Sequence, residues 1–227
     1  MKKCSIIIPT IGKNEMILSL LRQISLINDD IVKHIYVYDN GMPIHIRDAC
    51  LDLGAEVIES YGEKIYSMWN KGVLKSLLDE DIEYVCVFND DLHLFAQPNW
   101  FKLLVSPLVD DDVWATCANY NPEIHNEPLE YKSVIGTFKD NGFAGFCFCV
   151  SRKAYMNGLD LFDERYNWWF GDDNFVHSIH QKSKKTTISM NAQMIHIHGG
   201  SQTVVQYTPE FNQMVEEDRI LYYSKWH

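Results

Sequence analysis

The stretch "CSIIIPTIGKNEMILSLLRQISLINDDIVKHIYVYDNG", residues 4 to 41, changes its hydrophobic period twice. Residues 4 to 10 are a short apolar run ended by a proline, which reads as a buried strand. Residues 13 to 25 then place Met16, Leu20 and Ile24 with Ile17 and Leu21 at helical spacing, and residues 33 to 41 return to a strand closed by a turn in which Gly41 takes positive φ. A strand, a helix and a strand of these lengths make a β-α-β unit. The pattern continues with a helix over residues 43 to 54, a short strand over 55 to 60, a helix over 65 to 80 and a strong strand over 82 to 90. Four strands separated by helices predict an α/β fold with a mostly parallel sheet covered on both faces.

Ligands of such sheets bind beyond the carboxyl ends of the strands. That rule singles out Pro9 and Thr10, Asp39 to Gly41, and Asn89 to Asp91. The second half is less regular. Residues 99 to 109 read as a helix, 112 to 120 as a strand, and 121 to 142 as a functional loop or lid. A strand and helix start follow over 143 to 155, a loop feeding a helix over 163 to 185, one or two strands over 186 to 201, and a terminal helix over 209 to 226.

At 227 residues the chain is expected to be a single domain, with residues 1–97 and 98–204 as its halves and 205–227 as a C-terminal helix. Apolar residues at 46% and charged ones at 22% predict a packed globular fold. The apolar run at the N-terminus is cut by Pro9 short of a signal peptide, and no stretch is long enough to insert in a membrane. The six cysteines form no CxxC pair, which argues against a zinc ribbon and fits reduced thiols in the cytoplasm. A net charge of −11 argues against a wide grip on a polyanion.

Three further stretches carry chemistry. "VFNDDLHLF", residues 87 to 95, sets Asp90 and Asp91 behind a buried strand. As structure they make a turn; as chemistry, oxygen ligands at a ligand edge suit Mg²⁺ or Mn²⁺ bridging to a diphosphate. "WWFGDDNFVHSI", residues 168 to 179, joins Trp168, Trp169 and Phe170 to Asp172 and Asp173. Asp172 or Asn174 could cap a helix, but the aromatics also make a wall for stacking a sugar while a carboxylate takes a hydroxyl proton. "HIHGGS", residues 196 to 201, offers His196 or His198 to a metal.

Together and in this order, these pieces resemble the GT-A glycosyltransferases, in particular the inverting family 2-like enzymes. The resemblance runs from "SIIIPTIGKNEMILSLLRQI" through "IYVYDNG", "YSMWNKGV", "YVCVFNDDLHLF" and "GFAGFCFCVSRKAYMNGLDLFDERYNWWFGDDNF" to "HIHGGS". It implies a Rossmann-like GT-A sheet with a smaller mixed acceptor-side region, and transfer of a hexose from a nucleotide-diphosphate sugar, a UDP-sugar favoured, with Mn²⁺ or Mg²⁺. Pro9, Thr10, Asp39, Asn70, Asn89, Asp90 and Gly145 would contact the nucleotide sugar. Asp91 in the DXD-like "NDD", with His196 or His198, would hold the metal. "FGDD" is similar to the catalytic "ED" motif and makes Asp173 the expected base, with Asp172 beside it. Trp168 and Trp169 would stack the acceptor or donor sugar. Gly142 to Gly145 and Arg152 resemble the pocket-shaping segment, whereas Trp69 stands where the family carries an arginine. The acceptor hydroxyl is left open among a glycan, a lipid-linked sugar, a protein and a modified nucleobase.

Rival readings fit the residues less well, a metal-dependent hydrolase using "HIH" among them, since the chain offers no further set of histidines and acids over several strands. A sugar nucleotidyltransferase would need a glycine-rich basic loop after the first strand, which "PTIGKNEM" lacks. A non-catalytic carbohydrate-binding protein of the same fold would not need the four carboxylates at residues 90, 91, 172 and 173.

Overall fold

The computed structural model describes residues 2–12, 15–27, 30–137, 140–197 and 208–226. Its first half alternates as expected: β1 (Lys3–Thr10), α1 (Met16–Ile27), β2 (Val32–Asp39), α2 (Ile44–Asp52), β3 (Glu56–Glu59), α3 (Ile65–Leu77) and β4 (Ile82–Phe88). β5 (Leu92–Leu94), α4 (Trp100–Val105) with a 3-10 turn at Ser106–Val109, β6 (Val113–Asn119), β7 (Tyr131–Val134) and β8 (Cys147–Ser151) follow. The chain then forms α5 (Arg152–Met156), α6 (Gly171–Gln181), β9 (Lys185–His196) and α7 (Pro209–Trp226).

Among the described residues, nine strands form a sheet in the order β3-β2-β1-β4-β8-β6-β9-β5, with β7 also on β9. The first four strands are mutually parallel; β8 runs antiparallel between β4 and β6, and β9 returns parallel to β6. β1 is central and covered on both faces, which is why its isoleucines run without alternation: Ile6, Ile7 and Ile8 are all fully buried. Pro9 is tolerated because pairing with β4 stops at Ile7, so on that side no ladder bond is lost. In α1, Ile17, Leu18, Leu20, Leu21 and Ile24 form the buried face, each worth about 1.5–3 kcal/mol over exposure.

The segment over residues 121 to 142, expected as a loop or lid, contains β7, paired antiparallel with β9. β9 itself is one continuous strand of 12 residues whose start lies between β6 and β7 and whose end pairs with β5. Because β6 and β9 share the direction of β1 and β4, their carboxyl ends and the amino end of β8 all lie at one sheet edge. No helix of the described residues is long and apolar enough to cross a membrane. All six cysteines are buried, and none is paired in a disulfide among the described residues.

Candidate active site

Asn89 follows β4 and its backbone N–H donates to the Phe146 carbonyl at 2.8 Å, pinning the end of β4 to the entry of β8. The next two residues diverge. Asp90 turns toward β1, where the Thr10 hydroxyl donates to its Oδ2 at 2.5 Å and itself accepts from the Gly12 N–H at 2.8 Å. Asp91 turns the other way, its Oδ1 lying 3.0 Å from Nε2 of His196. That contact follows from register: Leu92 is paired with His196, and the Ile197 N–H donates to the Asp91 carbonyl at 2.9 Å. Adjacent buried carboxylates repel, and giving each its own partner on opposite sides is what makes the pair tolerable. His198 lies outside the described residues.

The His196 ring stacks on Phe146 with centroids 4.3 Å apart. Phe146 adjoins Gly145, and a Cβ on Gly145 would stand 2.0 Å from Oδ2 of Asp172 and 2.4 Å from its Cβ. Asp172 therefore lies directly against the Gly145 backbone. A continuous path of contacts leads from Asp91 through His196 and Phe146 to Gly145 and Asp172. Asp172 and Asp173 occupy the first turn of α6, where the helix dipole favours them. Neither Asp172 nor Asn174 caps the helix: the cap position is Phe170, in the left-handed region at φ 63°, and Asn174 instead accepts from Lys225 Nζ at 2.8 Å. Two tyrosines feel the charge of both acids. Burial, then the charge of Asp172, holds the Tyr66 hydroxyl well above its usual pKa, while burial, then Asp173, pushes Tyr222 up to about 12.

A cavity of about 290 Å³ opens between the ends of β1 and β2, the start of α3 and the segment that precedes α6. Pro9, Thr10, Asn40, Lys64 and Met68 line one side; Asn167, Trp168 and Met214 close the other. Thr10 is the joint, since it both lines the cavity and bonds Asp90.

Other expected residues are placed differently. Asp39 is fully buried, its Oδ1 accepting from the Gly41 and Met42 N–H groups at 2.8 and 2.7 Å, and Gly41 takes φ 104° as its turn required. Asn70 does not line the cavity: its side chain brackets the distant loop, donating to the Phe162 carbonyl and Glu164 and accepting from the Phe162 N–H at 2.9 Å. Trp69 packs edge-on against Tyr66 and Phe162 in the core, so an aromatic contact replaces any cation there. Arg152 lies away from this edge, since its guanidinium caps the carbonyls of Leu77, Asp79 and Ile82 at the end of α3 and the start of β4. Trp168 lines the cavity, whereas Trp169, 37% exposed, does not.

Sequence reasoning missed Tyr66 and Asp218. The Tyr66 hydroxyl accepts from the Gly171 N–H at 3.1 Å and donates to the Trp168 carbonyl at 3.1 Å, a pillar under the segment that carries the acids. In sequence Tyr66 is one more apolar-face residue of a helix, and Asp218 one acid among several in "VEEDRI", so neither gave a signal.

No family model matches the chain, and no curated protein does. Solved structures do. The mannosyltransferase PcManGT from Pyrobaculum calidifontis, in complex with GDP-Man and Mn²⁺, superposes with a TM-score of 0.65 at 15% identity over 89% of this chain and 59% of that one. GalNAc-T7 with UDP, GalNAc and Mn²⁺ gives 0.68 at 13% identity over 98% and 50%. The glucosyl-3-phosphoglycerate synthase of Mycobacterium tuberculosis, with Mn²⁺, UDP and glucosyl-3-phosphoglycerate, gives 0.57 at 14% identity over 96% and 76%. The chain thus has the fold of GT-A glycosyltransferases, and it spans between half and three-fifths of the first two of these proteins.

Proposed function

We propose that this chain transfers a sugar from a nucleotide-diphosphate sugar to an acceptor hydroxyl, with inversion and with a carboxylate as base. One observation carries the reading: the ligand edge of a GT-A sheet carries Asp91 against His196, Asp90 against Thr10 and Asp172 against Gly145, and Thr10 also lines a cavity there. In each of the three similar structures, a nucleotide or nucleotide sugar and Mn²⁺ are present.

The residues fit a divalent cation. A carboxylate oxygen and an imidazole nitrogen 3.0 Å apart are both ligands that Mn²⁺ accepts, and such ions commonly take only one or two protein ligands and complete their shell with phosphate oxygens and water. Among the described residues no group of three such ligands occurs, in keeping with a site that a donor diphosphate completes. Asp91 and His196 would hold the ion, which when bound neutralises charge on the leaving diphosphate. Phe146, stacked on His196, holds the imidazole plane. Asp90, oriented by Thr10, faces the donor, whose nucleoside enters the cavity with Lys64 as the cation at its wall.

An acceptor hydroxyl is a weak nucleophile near neutral pH, so a carboxylate takes its proton as the new bond forms. Asp173 was the expected base. What supports Asp172 instead is its packing on Gly145, whose neighbour Phe146 stacks on His196. We therefore assign the base to Asp172. UDP as the donor nucleotide and a hexose as the transferred group complete the proposal.

The test begins with a thermal-shift panel of nucleotide sugars with Mn²⁺, since a ligand at 100 times its dissociation constant adds about 2.7 kcal/mol of stability. Turnover of the stabilising donor is then compared in Asp172→Asn and Asp173→Asn. Loss of transfer with donor affinity retained is expected for Asp172→Asn. No stabilisation by any nucleotide sugar overturns the function, and full activity of Asp172→Asn overturns the base.

A further inference from the structure

We infer that Asp218, in the C-terminal helix, is a positioning residue for transfer: its carboxylate fixes the backbone of residues 167 to 169, so that Trp168 walls the cavity and Asp172 of α6 meets the sheet edge at Gly145. The inference rests on the transferase reading above.

Asp218 is 1% exposed. Its Oδ1 accepts from the Asn167 N–H at 2.7 Å and from Asn167 Nδ2 at 3.1 Å, and its Oδ2 accepts from the Trp168 and Trp169 N–H groups at 2.7 and 2.9 Å. A buried carboxylate is costly unless its oxygens are satisfied, and here three consecutive backbone amides and one side chain supply the donors. These amides belong to neither a helix nor a strand, so the carboxylate is their hydrogen-bond partner.

The next residue shows what this hold is for. Phe170 has φ 63°, a region that a bulky side chain occupies only when its surroundings force it, at about 1–3 kcal/mol. It is the turning point between the loop and α6. Before it, Asp218 holds residues 167 to 169; after it, the Tyr66 hydroxyl receives the Gly171 N–H. The Phe170 ring lies 5.2 Å from Tyr222 of α7. The direction in which Asp172 and Asp173 leave the loop is thus set from both sides.

Asp218 is not needed simply to dock α7. That helix has contacts with α6 that do not involve the loop: Lys225 and Trp226 both donate to Asn174, and the Trp226 ring stacks on His177. Each hydrogen bond described for Asp218 goes to the loop. Changing it separates two roles, leaving the helix seated while the loop loosens.

The experiment uses the full chain with Mn²⁺ and the donor found active. Asp218→Asn keeps the shape but leaves one acceptor oxygen in place of two. At a temperature where circular dichroism shows it fully folded, kcat is expected to fall by about 100-fold, the loss typical of a small misplacement of reacting groups, while the donor KM rises far less. Arg219→Ala, exposed on the same helix, is expected to keep the wild-type kcat. Should Asp218→Asn not fold, Asp218→Glu, which shifts both oxygens by one methylene, is measured with a loss of at least about 10-fold expected. A folded Asp218 variant with wild-type kcat overturns the positioning role alone, as does a variant whose only change is a lower melting temperature. Wild-type protein inactive with every nucleotide sugar overturns the transferase reading and the positioning role with it.

Discussion

Gly145→Ala is the most direct perturbation of the site that leaves every titratable group in place. The glycine does not have a positive φ, so alanine is compatible with its backbone and the effect is steric. The new Cβ would stand 2.0 Å from Asp172 Oδ2, 2.4 Å from Cβ and 2.5 Å from Cγ, where ordinary contact begins at 3.4 Å. The carboxylate oxygen could rotate aside, but the Asp172 Cβ is fixed to the first turn of α6. That turn must retreat by about 1 Å, against the grip of Tyr66 on Gly171, and misplacement on this scale costs about 100-fold in rate. Overpacking of this kind costs about 1–3 kcal/mol, which a domain stable by about 5–15 kcal/mol survives. The assay is kcat for transfer at saturating donor with Mn²⁺, together with a melting curve and nucleotide affinity by calorimetry. Gly145 does not line the cavity, so nucleotide affinity is expected to stay within about 3-fold while kcat falls by about 100-fold. A folded variant with kcat near wild type would refute the claim that the seat of Asp172 matters. Nucleotide affinity falling as far as the rate would refute the separation of cavity and acids.

Asp91→Asn and His196→Ala should each raise the Mn²⁺ concentration for half-maximal rate by at least about 10-fold; an unchanged Mn²⁺ titration would remove them as ligands. Stability should also depend on pH through His125, which is 3% exposed, sits edge-on to Tyr120 and has no hydrogen-bond partner at either ring nitrogen among the described residues. Burial lowers its pKa below the ordinary 6.5, so the unfolded chain takes up a proton first and stability is lost as pH falls below about 6.5. His180, lowered by burial in the same way, adds to this. The melting temperature should decline from pH 7 to 5.5, and less steeply in His125→Phe; equal slopes would exclude His125 as a contributor.

The alternation of strand and helix through residue 88 was legible because each element carries its own period: β1 has the unbroken apolar run Ile6 to Pro9, and α1 buries its residues at helical spacing. The acids at 90, 91, 172 and 173 were legible because strand ends and helix starts are local features. β7 was not, since four residues within a polar, proline-bearing stretch become a strand only through pairing with β9. The partners of Asn70 and Arg152 were hidden for a related reason. Each is a polar residue at a motif position, and only the packed chain shows that Asn70 brackets residues 162 to 164 and Arg152 caps the end of α3.

The sequence by itself determined the parallel half of the sheet and the residue types at its ligand edge, because hydrophobic period and turn chemistry act over a few neighbouring residues. Which groups meet there was decided by the tertiary structure. Register brings His196 to Asp91 across 105 positions of chain, the bare Cα of Gly145 admits Asp172, and Asp218 reaches back some fifty residues to hold the Trp168 loop. These contacts arise from strand pairing and close packing between distant segments, and no local pattern in the chain encodes them.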